Sequence, residues 1–136
     1  MKRIALIILG VLASAIFVQA ADDLGRAKHE EKQQFMRQKL GYSQVIMEGL
    51  VLEKFDLITT NAAIMRNMNL TNTFLMLKNP LYMQNITNFQ ANIDSLTKAA
   101  KEKNLDKASA AFSEVVNSCV ACHQQFRRDQ FNNAQK

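Results

Sequence analysis

Residues 105–126 read LDKASAAFSEVVNSCVACHQQF, and this stretch decides the fold. Its apolar residues recur at steps of three and four, the spacing of one face of an α-helix. They are Leu105, Ala108, Phe112, Val115, Cys119, Cys122 and Phe126. The stripe predicts a long helix that packs on other helices and places both cysteines on its inner face.

The same stretch contains the pattern C-x-x-C-H, formed by Cys119, Cys122 and His123. Two thiols three residues apart lie on one face of a helix, so both can form thioethers with the vinyl groups of a porphyrin. The imidazole that follows is a common axial ligand of haem iron. The pattern therefore predicts one covalent haem c on Cys119 and Cys122, with His123 bound to the iron.

Two other chemistries use similar residues and stay open as alternatives. A thiol–disulfide oxidoreductase places its C-x-x-C at the start of a helix, where the helix dipole lowers the thiol pKa. Here the pair lies well inside a predicted helix, and no strand is predicted before it. A structural zinc site takes four N or S ligands, and His29 is the remaining candidate for the fourth. A non-haem helical redox or zinc-binding protein is thus the last alternative.

The N-terminal residues have the pattern of a secretory signal peptide. Lys2 and Arg3 precede an apolar run over residues 4–18, and Val18-Gln19-Ala20 resembles a signal-peptidase site. An uncleaved anchor is the alternative, but the apolar run is short for a membrane span. We expect cleavage after Ala20, which leaves an exported domain of residues 21–136 in an oxidising compartment, with no membrane attachment.

The expected mature chain has 116 residues, which is enough for one compact domain. Loss of Lys2 and Arg3 lowers the formal net charge from +5 to +3, from 15 basic and 12 acidic residues. Acidic and basic residues are interleaved, and no basic stripe with interspersed aromatics is present. Nucleic-acid binding is therefore not expected.

Helical periodicity continues through the rest of the chain and predicts helices at about 22–52, 57–67 and 80–103, and a last one to about 129. Asp56 is the predicted N-cap of the second helix, and Pro80 suits the first turn of the third. The inner stripe predicted for the first helix is Met36, Leu40, Ser43, Met47 and Leu50, widened by Phe35, Val45 and Ile46. The stripe predicted for the third helix is Tyr82, Ile86, Phe89, Ile93, Leu96 and Ala100. Together the helices predict an all-α, antiparallel four-helix bundle with the haem attached to the C-terminal helix.

Two glycines interrupt the first predicted helix, at Gly41 and Gly49. Glycine in a helix interior costs roughly 1 kcal/mol relative to alanine. One reading is that each glycine lies where another helix or a flat ring comes close. The other is that each glycine is a weak position that the helix tolerates. The sequence leaves these readings open.

The run CVACHQQFR at residues 119–127, after a signal peptide and three predicted helices, resembles the cytochrome c′ group, the class II c-type cytochromes. The resemblance implies thioethers at Cys119 and Cys122 and proximal ligation by His123. It also implies that Arg127 lies beside the haem, near a propionate or the proximal histidine. Homodimerisation is common in the family, and the first two helices are the candidate surface.

In that family the first helix supplies the group at the sixth iron position, and this group decides the function. Members with an apolar residue there bind small gases such as NO and CO, and members with methionine carry electrons. The candidates here are Phe35, Met36 and Leu40. Met36 is the preferred ligand, because a thioether is a normal axial group. His29, seven residues earlier, is another candidate, and Phe35 at this position implies a gas-binding protein.

The leading expectation is therefore a periplasmic one-electron carrier that exchanges electrons with a partner protein and is not an enzyme. The first alternative is a five-coordinate protein that binds NO or CO.

Overall fold

The computed structural model describes the backbone of residues 2–72 and 80–135, and the side chains of residues 22–68 and 82–135 except 28 and 133. Within those ranges the chain forms four helices and no strand. They are α1 (Lys2–Val51), α2 (Phe55–Asn72), α3 (Pro80–Lys101) and α4 (Leu105–Ala134). α3 packs against both α2 and α4, which confirms the predicted all-α helix bundle.

The chain divides into two compact units, residues 1–39 and residues 40–136. The second unit contains the end of α1 and the other three helices. Its buried apolar side chains form one cluster, to which all four of these helical segments contribute. The cluster consists of Ile46, Leu50, Ile58, Ala62, Met65, Phe89, Ile93, Leu96, Ala99, Ala100, Ala108, Phe112 and Val115.

The predicted inner stripes of α3 and α4 are confirmed in the middle of each helix. Phe89, Ile93 and Leu96 on α3 are buried, and so are Phe112 and Val115 on α4. Alternate steps of three and four residues keep these side chains on one face because a helix turns once in 3.6 residues.

The predicted inner stripe of α1 is partly wrong. Leu40 and Met47 are 60% and 54% exposed. Leu50 is buried, and so is Ile46, one of the residues predicted to widen the stripe. The buried face is therefore centred closer to Ile46, and Tyr42 packs against the core on the same side.

Gly49 lies where α1 and α2 approach each other closely. A Cβ atom at this position would lie 2.8 Å from Cγ1 of Ile58 and 3.1 Å from the carbonyl oxygen of Lys54. At Gly41 a Cβ atom would meet nothing within 4 Å. Gly49 therefore marks a close approach by α2, and Gly41 is open in this structure.

Several helix bounds also differ from the prediction. α2 begins at Phe55, so Asp56 lies in its first turn and is not the N-cap. α2 and α4 run further than predicted, to Asn72 and Ala134, and α3 ends slightly earlier, at Lys101. α1 extends back to Lys2 in the full chain. Cleavage after Ala20 stays a prediction.

The turns after α1 and α3 have the same backbone geometry. In the second turn the amide of Asn104 donates to the carbonyl of Ala99, and that of Lys103 donates to Ala100, both at 3.0 Å. Lys103 has a φ of 52°, in the left-handed region. This is the Schellman arrangement that ends many helices. The Asn104 side chain then caps α4 by accepting from the amide of Lys107 at 2.9 Å, which lets the chain reverse within three residues.

Replacing Lys103 by glycine is expected to stabilise the protein by about 0.5–1 kcal/mol, because glycine adopts a positive φ without the steric cost of a Cβ. Lys101→Gly in the last turn of α3 is the matched control and should lose up to about 1 kcal/mol. Denaturant unfolding measures both changes. A Lys103→Gly protein no more stable than the wild type would contradict the expectation.

One exposed ion pair joins α2 to α3. Nε of Arg66 donates to Oδ1 of Asp94 at 2.6 Å, and Nη2 of Arg66 donates to Oδ2 at 3.3 Å. The hydrogen bond to Asp94 raises the pKa of Arg66. Exposed ion pairs gain little because water screens them, so this contact is expected to add little to stability.

Among the residues whose side chains the structure describes, no helix is both long enough and apolar enough to cross a membrane.

Candidate haem-attachment site

The three side chains of the C-x-x-C-H motif share one face of α4. With 100° of rotation per residue, Cys119 lies between Cys122 and His123, and all three fall within an arc of about 100°. Cys119 and Cys122 are both half-buried, and they are not joined in a disulfide. His123 is exposed. Two thiols and an imidazole are thus presented side by side, as the sequence predicted for the helix.

Burial along this face of α4 decreases toward the C-terminus. Phe112 and Val115 are buried in the core, and Cys119 packs against the edge of the core cluster. Beyond that point Cys122 is half-buried, and Phe126, which continues the stripe, is 43% exposed. The apolar face of α4 therefore continues past the protein core, and the motif begins at the core edge.

Polar contacts with α3 lie on the N-terminal side of the motif. Nδ2 of Asn92 donates to Oγ of Ser118 at 2.7 Å and to the carbonyl oxygen of Glu114 at 3.1 Å. Oγ of Ser118 in turn donates to the same carbonyl at 2.9 Å. These bonds fix the residue directly before Cys119 relative to α3.

A second polar group lies on the C-terminal side of the motif. Tyr82, near the start of α3, hydrogen-bonds to Asp129. Partial burial raises the pKa of Tyr82, and the bond to Asp129, the negative charge of Asp129 and the nearby Cys122 raise it further. The phenol therefore stays protonated near neutral pH and donates to the carboxylate.

Asp129 also belongs to a chain of bonds along α4. Nε2 of Gln125 donates to Oδ1 of Asp129 at 2.8 Å. Nη2 of Arg128 donates to Oε1 of Gln125 at 2.9 Å. The carboxylate thus has an amide partner on its own helix as well as Tyr82 on α3.

Arg127 is exposed, and it lies one turn beyond His123 on the same side of α4. The expected contact between Arg127 and the haem stays a prediction.

Three candidates on the first helix, His29, Phe35 and Met36, belong to the first compact unit, and Leu40 is the first residue of the second. Met36 and Phe35 are both half-buried, and Nζ of Lys39 lies 5.6 Å from the centroid of the Phe35 ring. His29 is exposed, and its Nε2 is 2.8 Å from Nε2 of Gln33. Distal ligation by Met36 stays a prediction, as do the alternatives at Phe35, Leu40 and His29.

The zinc alternative gains no support from the described side chains. Among them, no group of three or more His, Cys, Asp or Glu residues is arranged to hold a metal ion. The haem prediction needs no such group, because two of its three residues bind the porphyrin and only the imidazole binds the iron.

An all-α chain with this motif on its last helix has the features of a c-type haem protein. The family model described as Cytochrome C' matches residues 78–127, which cover α3 and α4 as far as Arg127. This match includes Cys119, Cys122 and His123, confirms the resemblance over that part of the chain and supports a haem-binding c-type cytochrome. No curated protein and no solved structure matches the chain significantly.

Sequence reasoning missed the contacts that α3 makes with both sides of the motif. Asn92 and Tyr82 are separated from their partners by 26 and 47 residues. The only available signal was that Asn92 is polar and lies next to the apolar stripe of α3. That signal does not identify a partner.

Proposed function

We propose that this chain is an exported class II c-type cytochrome that carries one covalent haem c and transfers single electrons in the periplasm. The observation that carries the proposal is the apolar face of α4. It continues past the protein core and presents Cys119, Cys122 and His123 within one arc. A flat apolar group attached there would cover Cys122 and Phe126, which the core leaves partly exposed.

The residues of the motif fit a haem chemically. The thiols of Cys119 and Cys122 would hold a haem through thioethers to its two vinyl groups, which would tie the porphyrin to α4. The imidazole of His123 is exposed and available to the iron. The bound haem supplies a one-electron redox couple, and the protein sets its potential through the axial ligands and the polarity around it. No side chain is required as a nucleophile or base, which is why we propose an electron carrier and not an enzyme.

Other features support the finer parts of the proposal. The N-terminal basic and apolar pattern supports export, and haem attachment gives an exported C-x-x-C pair a use other than a disulfide. The half-buried Met36 supports an axial thioether and therefore electron transfer. The half-buried Phe35 beside it favours the second candidate function, a five-coordinate protein that binds NO or CO.

The central test uses protein produced with a c-type haem maturation system. The pyridine haemochrome spectrum of the denatured protein should show one covalent haem per chain. Protein that has passed through this system without covalent haem would overturn the proposal. A ferric spectrum of low-spin type would support electron transfer, and a high-spin spectrum that shifts with CO would support gas binding.

Replacing Met36 by alanine is expected to change a low-spin, six-coordinate spectrum to a high-spin one that responds to CO, because the thioether is lost. Met47→Ala is the matched control, since Met47 is an exposed methionine on the same helix. Optical spectra of both variants, in the oxidised state and in the reduced state with CO, measure the change. An unchanged spectrum for Met36→Ala would show that Met36 is not the ligand.

A further inference from the structure

Two polar contacts between helices lie on either side of the motif along the sequence, one before it and one after it. Asn92 bonds to Ser118, one residue before Cys119, and Tyr82 bonds to Asp129, six residues after His123. Both contacts join α3 to α4.

The two contacts define a single antiparallel register. Their positions are ten residues apart on α3 and eleven apart on α4, which corresponds to about 15 Å along each helix at 1.5 Å per residue. Because the two separations differ by only one residue, one alignment of α3 and α4 satisfies both contacts. The haem-attachment motif lies within this interval.

Among the described side chains, the core cluster reaches α4 only as far as Cys119, and the stripe is partly exposed at Phe126. Hydrophobic burial is also non-directional, whereas a hydrogen bond weakens steeply when its angle changes. The polar contacts on either side therefore add a directional constraint on the rotation of α4 at Cys122 and His123.

We propose that Asn92 and Tyr82 are positioning residues that hold the haem-attachment segment of α4 in one rotation and register on α3. This inference rests on the proposed function, because the orientation of His123 matters only if a haem is attached. The two residues act through α4, and neither is proposed to touch the haem.

The structure offers substitutions that remove only the interhelical bond. In Asn92→Ala the hydroxyl of Ser118 still bonds to the carbonyl of Glu114, and in Tyr82→Phe the carboxylate of Asp129 still accepts from Gln125. No buried polar group is thereby left without a partner at these positions, so a large nonspecific loss of stability is not expected.

The experiment compares the holoproteins of the wild type, Asn92→Ala, Tyr82→Phe and the double variant. Ser95→Ala and Thr87→Ala are matched controls on α3, because each hydroxyl bonds only to a carbonyl of its own helix in the described contacts. The readouts are the line widths of the ferric haem in EPR and the midpoint reduction potential. Both depend on the orientation of the axial imidazole and are insensitive to a merely lower unfolding temperature.

The double variant is expected to show broader EPR lines and a shifted potential, the single variants smaller changes in the same direction, and the controls wild-type values. Wild-type line widths and potential in the double variant, with only a lower unfolding temperature, would overturn the inference. So would equal shifts in the controls. If the double variant does not accumulate, the line widths and potential of Tyr82→Phe alone are measured. Wild-type values in that variant would then overturn the inference. Wild-type protein without covalent haem would instead overturn the proposed function, and this inference with it.

Discussion

A chain in which Cys119 and Cys122 are both replaced by alanine is expected to contain no covalent haem after maturation. The two thiols are the chain's only cysteines, so no other side chain can form a thioether. The expected loss is complete. The measurement is the pyridine haemochrome spectrum of the denatured protein after noncovalently bound haem has been extracted. Ala121→Ser is the matched control, because this exposed residue lies between the cysteines and contributes no thiol.

The single variants distinguish two thioethers from one. Cys119→Ala and Cys122→Ala should each retain a single bond, which leaves one vinyl group conjugated with the ring. The haemochrome absorption maximum should therefore move to longer wavelength in both. Covalent haem that persists in the double variant would show that attachment does not use this motif.

Replacing Gly49 by alanine is expected to lower the free energy of unfolding by about 1–3 kcal/mol, the usual cost of overpacking a core. The new methyl group would lie 2.8 Å from Cγ1 of the completely buried Ile58 and 3.1 Å from a backbone oxygen. The side chain has little room to move, and the backbone has less, so α1 must shift away from α2. Urea denaturation monitored by circular dichroism measures the loss.

Gly41→Ala is the matched control on the same helix. Its Cβ would meet nothing within 4 Å, so the gain in helix propensity should raise stability by up to about 1 kcal/mol. Opposite signs for the two variants are the expected result. Equal losses at both positions would show that glycine is needed at Gly41 as well, as the prediction of a nearby flat ring implies.

The helices that could be predicted best are those whose inner face is marked by several large apolar residues. Phe89, Ile93 and Leu96 define the buried face of α3 without ambiguity. α1 is different, because large apolar side chains occur on more than one of its faces. Gly49 carries no apolar side chain and adds nothing to a periodicity argument, yet it lies at the close approach of α1 to Ile58.

The placement of the three motif residues on one face of α4 could be predicted because it depends only on local helix geometry. Cys119, Cys122 and His123 lie within five residues, and one helical turn brings them together. The surrounding contacts depend on how α3 and α4 align, which local sequence does not encode. Asn92 and Tyr82 therefore became visible only in the folded chain.

The decrease in burial along α4 also has a consequence for the order in which the chain opens. The completely buried Leu96 and Val115 lie in the half of the α3–α4 pair nearest the turn at residues 102–104. Local unfolding from the C-terminal end of α4 exposes little of this core, so it requires less free energy than global unfolding. The backbone amides around Cys122 should accordingly exchange with solvent before those around Val115, and the attachment segment can open while the rest of the helix pair stays folded.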